Sequence, residues 1–236
     1  MQANCLRKEC EQEIYQCFMK SIYEFVNRII PGDCVEVMRQ MPAGSVDFIC
    51  TDPPYIVGYV SRDGRSIAND KTDEWLMPAV REMYRVLKYN SFCVSFYGWN
   101  RIDRFFSAWK AAGFHIVGHL VFVKPYHSNA AYVRYSHEGA YLLAKGVPDT
   151  PPMLIRDVLE WDYSGNGLHP TQKPVMAMLP LILAFSRMRD IVLDPFVGSG
   201  TTAVAAKQLG RRYIGIEIDP TYARQADERV KQTGKG

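Results

Sequence analysis

The sequence predicts an α/β protein with three layers, in which helices cover both faces of a mostly parallel, seven-stranded sheet with an antiparallel edge strand. Three observations predict this fold class. Short apolar runs typical of strands alternate with segments of helical spacing, which indicates parallel strands joined by helices. Two runs, at 116–123 and 140–144, have no helix between them, which favours an antiparallel pair at one edge. The composition fits one globular domain, because 47% of the 236 residues are hydrophobic and 22% are charged.

The elements follow from these patterns in chain order. Residues 1–27 are predicted to form a helical extension, because apolar positions between 5 and 26 recur on one helix face. Residues 28–236 are predicted to form the main domain. Apolar runs bounded by polar or glycine-bearing segments predict strands at 26–30, 46–51, 92–97, 116–123, 140–144, 191–193 and 213–216. Apolar residues three or four positions apart predict helices at 34–41, 74–87, 101–112, 174–187, 201–209 and 220–232.

Composition and patterning exclude several classes of protein. No apolar run reaches the roughly 18 residues that a membrane span needs, and the polar N-terminus lacks the apolar core of a secretory signal. We therefore expect a cytoplasmic protein without membrane contact. The six cysteines form no CxxC pair, so neither a metal site nor a disulfide framework is expected. A net charge of +3 permits a polyanionic partner without requiring one.

The first motif with chemical content is DPPY at 52–55, directly after a predicted strand. Ligands of open α/β sheets bind beyond the carboxyl ends of strands, which is where this motif falls. The two prolines fix the backbone and remove two N–H donors, leaving carbonyl acceptors, one carboxylate and one aromatic ring. This set suits a flat group that carries an exocyclic amine. The alternative interpretation is a Pro-Pro turn that ends a strand, with Asp52 as a cap.

The second motif is DPFVGSGT at 194–201, where an apolar strand enters a glycine-rich turn and a helix begins. Glycines let the backbone approach a ligand closely, and a helix N-terminus favours negative charge. Another predicted strand ends at Glu217, about 20 residues later, where an acidic side chain typically binds ribose hydroxyls. A dinucleotide site is disfavoured, because Ala203 stands where the G-x-G-x-x-G pattern requires a third glycine.

A third motif, HPTQKP at 169–174, precedes the helix that leads into the second motif, and Pro174 fits the first turn of that helix. Together the three motifs resemble the DNA amino-methyltransferases that use S-adenosylmethionine. The sequence is similar to the circularly permuted β group of that family, in which the DPPY motif precedes the glycine motif. The resemblance extends over about residues 28–229 and implies a Rossmann-like fold.

The resemblance implies roles for the matching residues. Within the catalytic set of Asp52, Pro53, Pro54 and Tyr55, the Asp52 carboxylate and the Pro53 carbonyl would accept hydrogen bonds from the target amine. Tyr55 would stack on a base flipped out of double-stranded DNA. The cofactor would be S-adenosylmethionine, with S-adenosylhomocysteine as the product. The residues expected to surround it are Asp33, Lys173, Thr171, Asp194, Phe196, Gly198, Ser199, Gly200, Thr201 and Glu217.

Two polar segments are the expected DNA-facing regions. Segment 56–73 follows the catalytic motif, and the target-recognition insertion near 145–168 is shorter than in many relatives, which predicts a short or relaxed target sequence. The basic residues expected to contact phosphates are Arg62, Arg65, Lys71 and Arg134. A homodimer is compatible with the resemblance, although no pattern in the sequence requires one, and a restriction endonuclease partner stays open.

The target base stays open between two amines. Asp, rather than Ser, at position 52 favours N6 of adenine over N4 of cytosine among relatives. An RNA target is disfavoured only by the order of the motifs. A noncatalytic DNA- or cofactor-binding module is disfavoured because the DPPY motif and the glycine turn are both intact.

Overall fold

The computed structural model describes residues 21–59, 64, 66–129, 132–161 and 172–234, with no side-chain description for 128 and 129. The strands are β1 (Arg28–Pro31), β2 (Phe48–Thr51), β3 (Ser91–Phe96), β4 (His115–Asn129), β5 (Arg134–Lys145), β6 (Val158–Glu160), β7 (Ile191–Asp194) and β8 (Arg212–Glu217). The helices are α1 (Cys34–Arg39), α2 (Leu76–Val86), α3 (Ile102–Ala112), α4 (Val175–Phe185), α5 (Thr201–Gln208) and α6 (Pro220–Gln232).

The eight strands form one sheet in the order β1-β8-β7-β2-β3-β5-β4-β6. All neighbours pair in parallel except β5, which is antiparallel to both β3 and β4. Strands β2 and β7 are parallel neighbours, with Ile49 opposite Leu193. The motifs that follow these two strands therefore leave the same edge of the sheet side by side, although they are far apart in sequence.

Two apolar cores lie on opposite faces of the sheet, which gives the three layers. Helices α1, α2 and α3 contribute to one core, and α4, α5 and α6 contribute to the other. Alternate residues of each central strand point to opposite faces, so Ile49 belongs to the first core while Phe48 and Cys50 belong to the second. The near-continuous apolar strands are thus explained by burial on both faces.

The predicted α/β class and its layers are confirmed, and the count of described strands is eight rather than seven. The additional strand, β6, lies within the polar target-recognition insertion predicted near 145–168, and it pairs with β4 through only three residues. Because β6 covers β4, the antiparallel pair β4–β5 lies inside the sheet rather than at its edge. A strand this short carries too little pattern to be predicted from sequence.

The predicted N-terminal helix lies outside the described residues over 1–20. Residues 23–27 form turns rather than the end of a helix, and Asn27 has a φ of 59°. This left-handed residue turns the chain into β1, where its side-chain oxygen accepts a hydrogen bond from Tyr213 N at 3.3 Å. None of the helices in the described part of the chain has the length and hydropathy of a membrane-spanning segment.

Candidate active site

A cavity of about 710 Å³ opens where β2, β7 and β8 end, and the β4–β5 hairpin contributes to its lining. It has two parts with different construction. We call residues 194–202 and 217–219 the glycine-turn half. We call residues 52–55, Lys124, Glu138 and Lys173 the carboxylate half. Within the described ranges, no group of three or more His, Cys, Asp or Glu side chains is placed to hold a metal ion.

Backbone N–H groups organise the glycine-turn half around one carboxylate. Glu217, at the end of β8, accepts hydrogen bonds from Gly198 N and Asp219 N, both at 2.9 Å. Gly198 and Gly200 have φ values of 49° and 85°, which L side chains rarely adopt, and Gly200 is the N-cap of α5. Burial raises the pKa of Glu217, and the backbone hydrogen bonds oppose that rise. The turn and the carboxylate therefore hold each other in place.

Asp194 joins the glycine turn to the end of β2. Its Oδ1 accepts hydrogen bonds from Thr51 Oγ1 at 2.8 Å and from Phe196 N at 3.1 Å. Complete burial raises the pKa of Asp194 to about 7, although hydrogen bonds from Thr202, Thr51 and Phe196 lower it. Thr51, immediately before the DPPY motif, thus contacts Asp194, the first residue of the glycine motif.

Asp52 is the centre of the carboxylate half, and both of its oxygens are engaged. Its Oδ1 accepts a hydrogen bond from the Tyr55 hydroxyl at 2.8 Å, and its Oδ2 lies 2.7 Å from Lys173 Nζ. The Lys173 ammonium also lies 3.2 Å from the Tyr55 hydroxyl and 5.2 Å from the centres of the Tyr55 and Phe96 rings. Aromatic faces and a carboxylate together hold this buried cation.

Lys124 and Glu138 complete the carboxylate half from the β4–β5 hairpin. Lys124 Nζ lies 2.9 Å from Glu138 Oε1, and Glu138 Oε2 lies 3.5 Å from the Tyr55 hydroxyl. Two carboxylates and the Lys173 ammonium therefore lie within 3.5 Å of the Tyr55 hydroxyl, and Lys124 pairs with one of the carboxylates. Burial opposes each charge, yet the nearby lysines lower the pKa of Glu138, and the nearby carboxylates raise the pKa of Lys173. Burial also raises the pKa of Asp52.

A strained turn fixes the position of Tyr55. Ile56 has a φ of 62°, which is unfavourable for a β-branched residue. The buried carboxylate of Asp70 compensates by accepting hydrogen bonds from Ile56 N at 2.7 Å and Tyr59 N at 2.6 Å. Gly98 lies so close that a Cβ there would come within 2.8 Å of Tyr55. The turn after the DPPY motif is thus held from both sides.

Most of the predicted cofactor residues come together in the structure. Asp33 lines the cavity and caps α1 by accepting from Val35 N at 2.9 Å. Thr201 Oγ1 donates to the carbonyl of Lys173 at 3.0 Å. Ser199 is buried, and its carbonyl accepts from Arg229 Nη1 at 2.9 Å. Their contacts with a cofactor stay predictions.

Lys173 lines the same cavity, and its ammonium contacts Asp52. The place beside the methionine part of a cofactor that the resemblance implies for it stays a prediction. Thr171, Arg62 and Arg65 lie outside the described residues, so their roles stay predictions. Lys71 and Arg134 are exposed, as phosphate contacts would need to be, and no contact with DNA is shown for either.

Sequence reasoning missed Lys124 and Glu138 as site residues. In the structure Lys124 is only 9% exposed. A signal was present, since the antiparallel register puts Phe122 opposite Glu138 and makes Lys124 a diagonal neighbour on the same face. Opposite charges at such positions pair, but the signal is readable only once the register is known.

Comparison with known protein families identifies the class of protein to which this fold and two-part cavity belong. The chain matches the DNA methylase family N6_N4_Mtase over residues 46–157 and 153–228, and it belongs to that family. It is therefore an S-adenosylmethionine-dependent DNA methyltransferase of the N6/N4 type.

Individual relatives agree with this class. YubD, a candidate methylase of Escherichia coli strain K12, is 61% identical over 205 residues, which span 87% of this chain and 90% of that protein. The type II methyltransferase M.HinfI of Haemophilus influenzae is 28% identical over 254 residues, spanning 90% of this chain and 70% of that protein.

Solved structures show the same fold. A candidate DNA modification methylase from Thermus thermophilus, determined with bound S-adenosylmethionine, has a TM-score of 0.70 and 25% identity, covering 89% of this chain and 97% of that one. M1.HpyAVI with S-adenosylmethionine has a TM-score of 0.69 and 26% identity, covering 86% of this chain and 98% of that one. The cytosine-N4-specific PvuII methyltransferase, at 16% identity and a TM-score of 0.69, shares the fold; the coverage is 86% of this chain and 89% of that one.

The residues of the glycine-turn half suit S-adenosylmethionine. The half combines a carboxylate for hydroxyl groups, the N-terminus of α5 and the apolar side chains of Phe196 and Val197. The cavity is also lined by Gln172, whose buried Oε1 has no hydrogen-bond partner in the described part of the chain. An unpaired acceptor of this kind is suited to an ammonium group such as that of the cofactor's methionine part.

Proposed function

We propose that this protein methylates the N6 amine of adenine in double-stranded DNA, after flipping the base into the carboxylate half of the cavity. The observation that carries the proposal is the Asp52–Tyr55 arrangement at the carboxyl end of β2, beside the glycine turn. Asp at the first position of the motif supports adenine over cytosine, as the sequence resemblance implies. The catalytic and cofactor roles given to individual residues below are part of the proposal.

Orientation of the target amine is the task of Asp52 and Pro53. The exocyclic nitrogen is conjugated with the ring, so its lone pair must be turned toward the electrophile before it can attack. Hydrogen bonds from the amine to the Asp52 carboxylate and the Pro53 carbonyl would impose that orientation, while Tyr55 stacks on the base. S-adenosylmethionine, when bound, supplies an electrophilic methyl group on a sulfonium centre.

Electrostatics is the second contribution of the site. As the nitrogen–carbon bond forms and the carbon–sulfur bond breaks, positive charge develops on the amine, and a carboxylate next to it stabilises that charge. Before substrate binds, Lys173 balances this carboxylate, so the buried pair is close to neutral. No base is needed before attack, since the amine loses its proton only after the methyl group has transferred.

The proposal extends to how the target is read. Segment 145–168 includes β6 and is short, so we propose a short or relaxed recognition sequence. We propose that DNA phosphates are contacted by Arg62, Arg65, Lys71 and Arg134. We also propose that the protein forms a homodimer and acts in the cytoplasm. Methylation mapping that finds one strict motif of six or more base pairs would contradict the relaxed target.

The test is mass spectrometry of nucleosides from mixed-sequence DNA after incubation with the protein and labelled S-adenosylmethionine. We expect label in N6-methyldeoxyadenosine and none with Asp52→Ala, whose binding of S-adenosylmethionine should be retained. Label in N4-methylcytosine would keep the mechanism and refute the choice of base. Label in neither, with intact cofactor binding, would refute the proposed DNA substrate and direct the search to RNA.

A further inference from the structure

The Tyr55 hydroxyl stands between two carboxylates but can donate its single proton to only one of them at a time. It donates to Asp52 Oδ1 at 2.8 Å, while Glu138 Oε2 lies 3.5 Å away. A shortening of roughly 0.8 Å would bring the second contact to an ordinary O–H···O⁻ distance. The phenol therefore has a second acceptor within a small movement of its present position.

Both carboxylate oxygens of Asp52 already have a partner before the proposed substrate binds. Tyr55 occupies Oδ1, and Lys173 occupies Oδ2 at 2.7 Å. An incoming amine would have to share one of these oxygens, and a shared carboxylate oxygen binds each donor less strongly. Release of the Tyr55 hydroxyl would return the full acceptor strength of Oδ1 to the amine. A buried hydroxyl released without another acceptor is costly, so an alternative partner is required.

We propose that Glu138 is a positioning residue that takes over the Tyr55 hydroxyl when the target amine engages Asp52. This inference rests on the proposed function of Asp52 and Tyr55. The transfer involves a hydroxyl rotation and a small side-chain shift, with no change of covalent bonds. It assigns the β4–β5 hairpin a part in the chemistry, although Glu138 itself need not touch the base.

Glu138 is well held for this role. Lys124 binds its Oε1 at 2.9 Å, which leaves Oε2 turned toward Tyr55. The Lys124 side chain is 7% exposed and that of Glu138 is 24% exposed, so the pair is poorly screened by water. Burial opposes the charge of Glu138, but the neighbouring Lys173 and Lys124 lower its pKa, and an ionised carboxylate acts only as an acceptor.

The experiment is a double-mutant cycle between Glu138 and the Tyr55 hydroxyl, read by single-turnover methyl transfer to DNA. Glu138→Gln preserves the shape and can keep an oxygen toward Lys124, but it then presents an NH₂ donor to Tyr55 in place of an acceptor. The cycle compares wild type, E138Q, Y55F and the E138Q/Y55F double variant. The matched control is Glu228→Gln, an exposed carboxylate on α6 outside the cavity lining.

We expect E138Q to slow transfer at least ten-fold with Tyr55 present, and less than two-fold when position 55 is Phe. The Kd for S-adenosylmethionine should stay at the wild-type value, as for E228Q. The melting temperature should fall by a similar amount in both E138Q backgrounds, because the buried Lys124 loses its ionised partner. If E138Q itself does not fold, Glu138→Asp replaces it, because the shorter carboxylate keeps its charge but recedes from Tyr55. An equal effect in both backgrounds, or no effect, overturns the inference. A wild-type protein that binds the cofactor but methylates no DNA refutes the proposed function first, and this inference with it.

Discussion

The two halves of the cavity are assembled in different ways. The glycine-turn half consists of two short segments on adjacent strands, and backbone N–H groups make most of its contacts, such as those from Gly198 and Asp219 to Glu217. The carboxylate half brings side chains from β2, the β4–β5 hairpin and the start of α4 into one charged cluster. The glycine-turn half depends on local backbone conformation, whereas the carboxylate half depends on long-range packing. Mutations in the two halves should therefore have different effects on stability and ligand binding.

The largest expected effect comes from breaking the charge balance of the carboxylate half. Lys173→Met leaves the partly buried Asp52 without its ammonium partner, which should lower the free energy of unfolding by about 3 kcal/mol. The double variant D52N/K173M removes both charges and should recover part of this loss. Urea unfolding measures both, and equal stability of K173M and the double variant would contradict the assignment of the loss to an unpaired Asp52 charge.

Asp194 should give stability an unusual pH dependence. Its pKa is raised to about 7 in the folded state, so folding favours the protonated form and stability falls as pH rises from about 4 to about 7. The slope for one such proton is about 1.4 kcal/mol per pH unit. Asp194→Asn does not titrate, so the decline in unfolding free energy from pH 5 to pH 7 should be smaller than in wild type. An identical decline in both proteins would contradict the assignment.

Gly215 on β8 lies against the glycine turn, and substituting it tests whether packing there is tighter than elsewhere in the sheet. A Cβ at Gly215 would come within 2.6 Å of Ile29 Cδ1 and 2.9 Å of Val197 Cγ2. Gly215→Ala should therefore cost about 1–3 kcal/mol of stability and weaken binding of S-adenosylmethionine. Gly118→Ala is the control, since its new Cβ would meet Leu142 at 3.4 Å. Equal losses in the two variants would argue against a special role of the turn.

Glu217→Gln is a smaller structural change at the glycine-turn half than Gly215→Ala. An amide keeps one acceptor for Gly198 or Asp219 but loses the charge and the second acceptor. Calorimetry should show a Kd for S-adenosylmethionine about ten-fold higher, equivalent to about 1.4 kcal/mol. Glu228→Gln should leave the Kd unchanged, and an unchanged Kd in E217Q would remove Glu217 from the cofactor site.

The smallest expected effects concern the proposed phosphate contacts outside both halves. Alanine at Arg62, Arg65, Lys71 or Arg134 should lower the slope of log K against log salt by roughly one for each residue. Binding to DNA fragments at several salt concentrations measures this slope. A residue whose substitution leaves it unchanged does not contact a phosphate.

The same contrast explains what could be predicted from sequence. Central strands such as β2 and β7 and the glycine turn follow from local patterns, because apolar runs and glycine spacing report directly on backbone conformation. The pairing of Lys124 with Glu138 requires the hairpin register, and the contact of Lys173 with Asp52 joins segments more than a hundred residues apart. Strand β6 exists only because β4 offers it an edge. Such features are set by tertiary packing, which local periodicity does not encode.

Lys173 links the carboxylate half to the glycine-turn half, because its carbonyl accepts from Thr201 at the start of α5 while its ammonium contacts Asp52. The two contacts connect the start of α5 with Asp52 through a single side chain and its own backbone. Thermodynamic reciprocity then requires that, if the cofactor alters affinity for DNA, DNA alters affinity for the cofactor by the same factor. Lys173 thus gives the fold a direct structural connection between the cofactor half and the half proposed to hold the base.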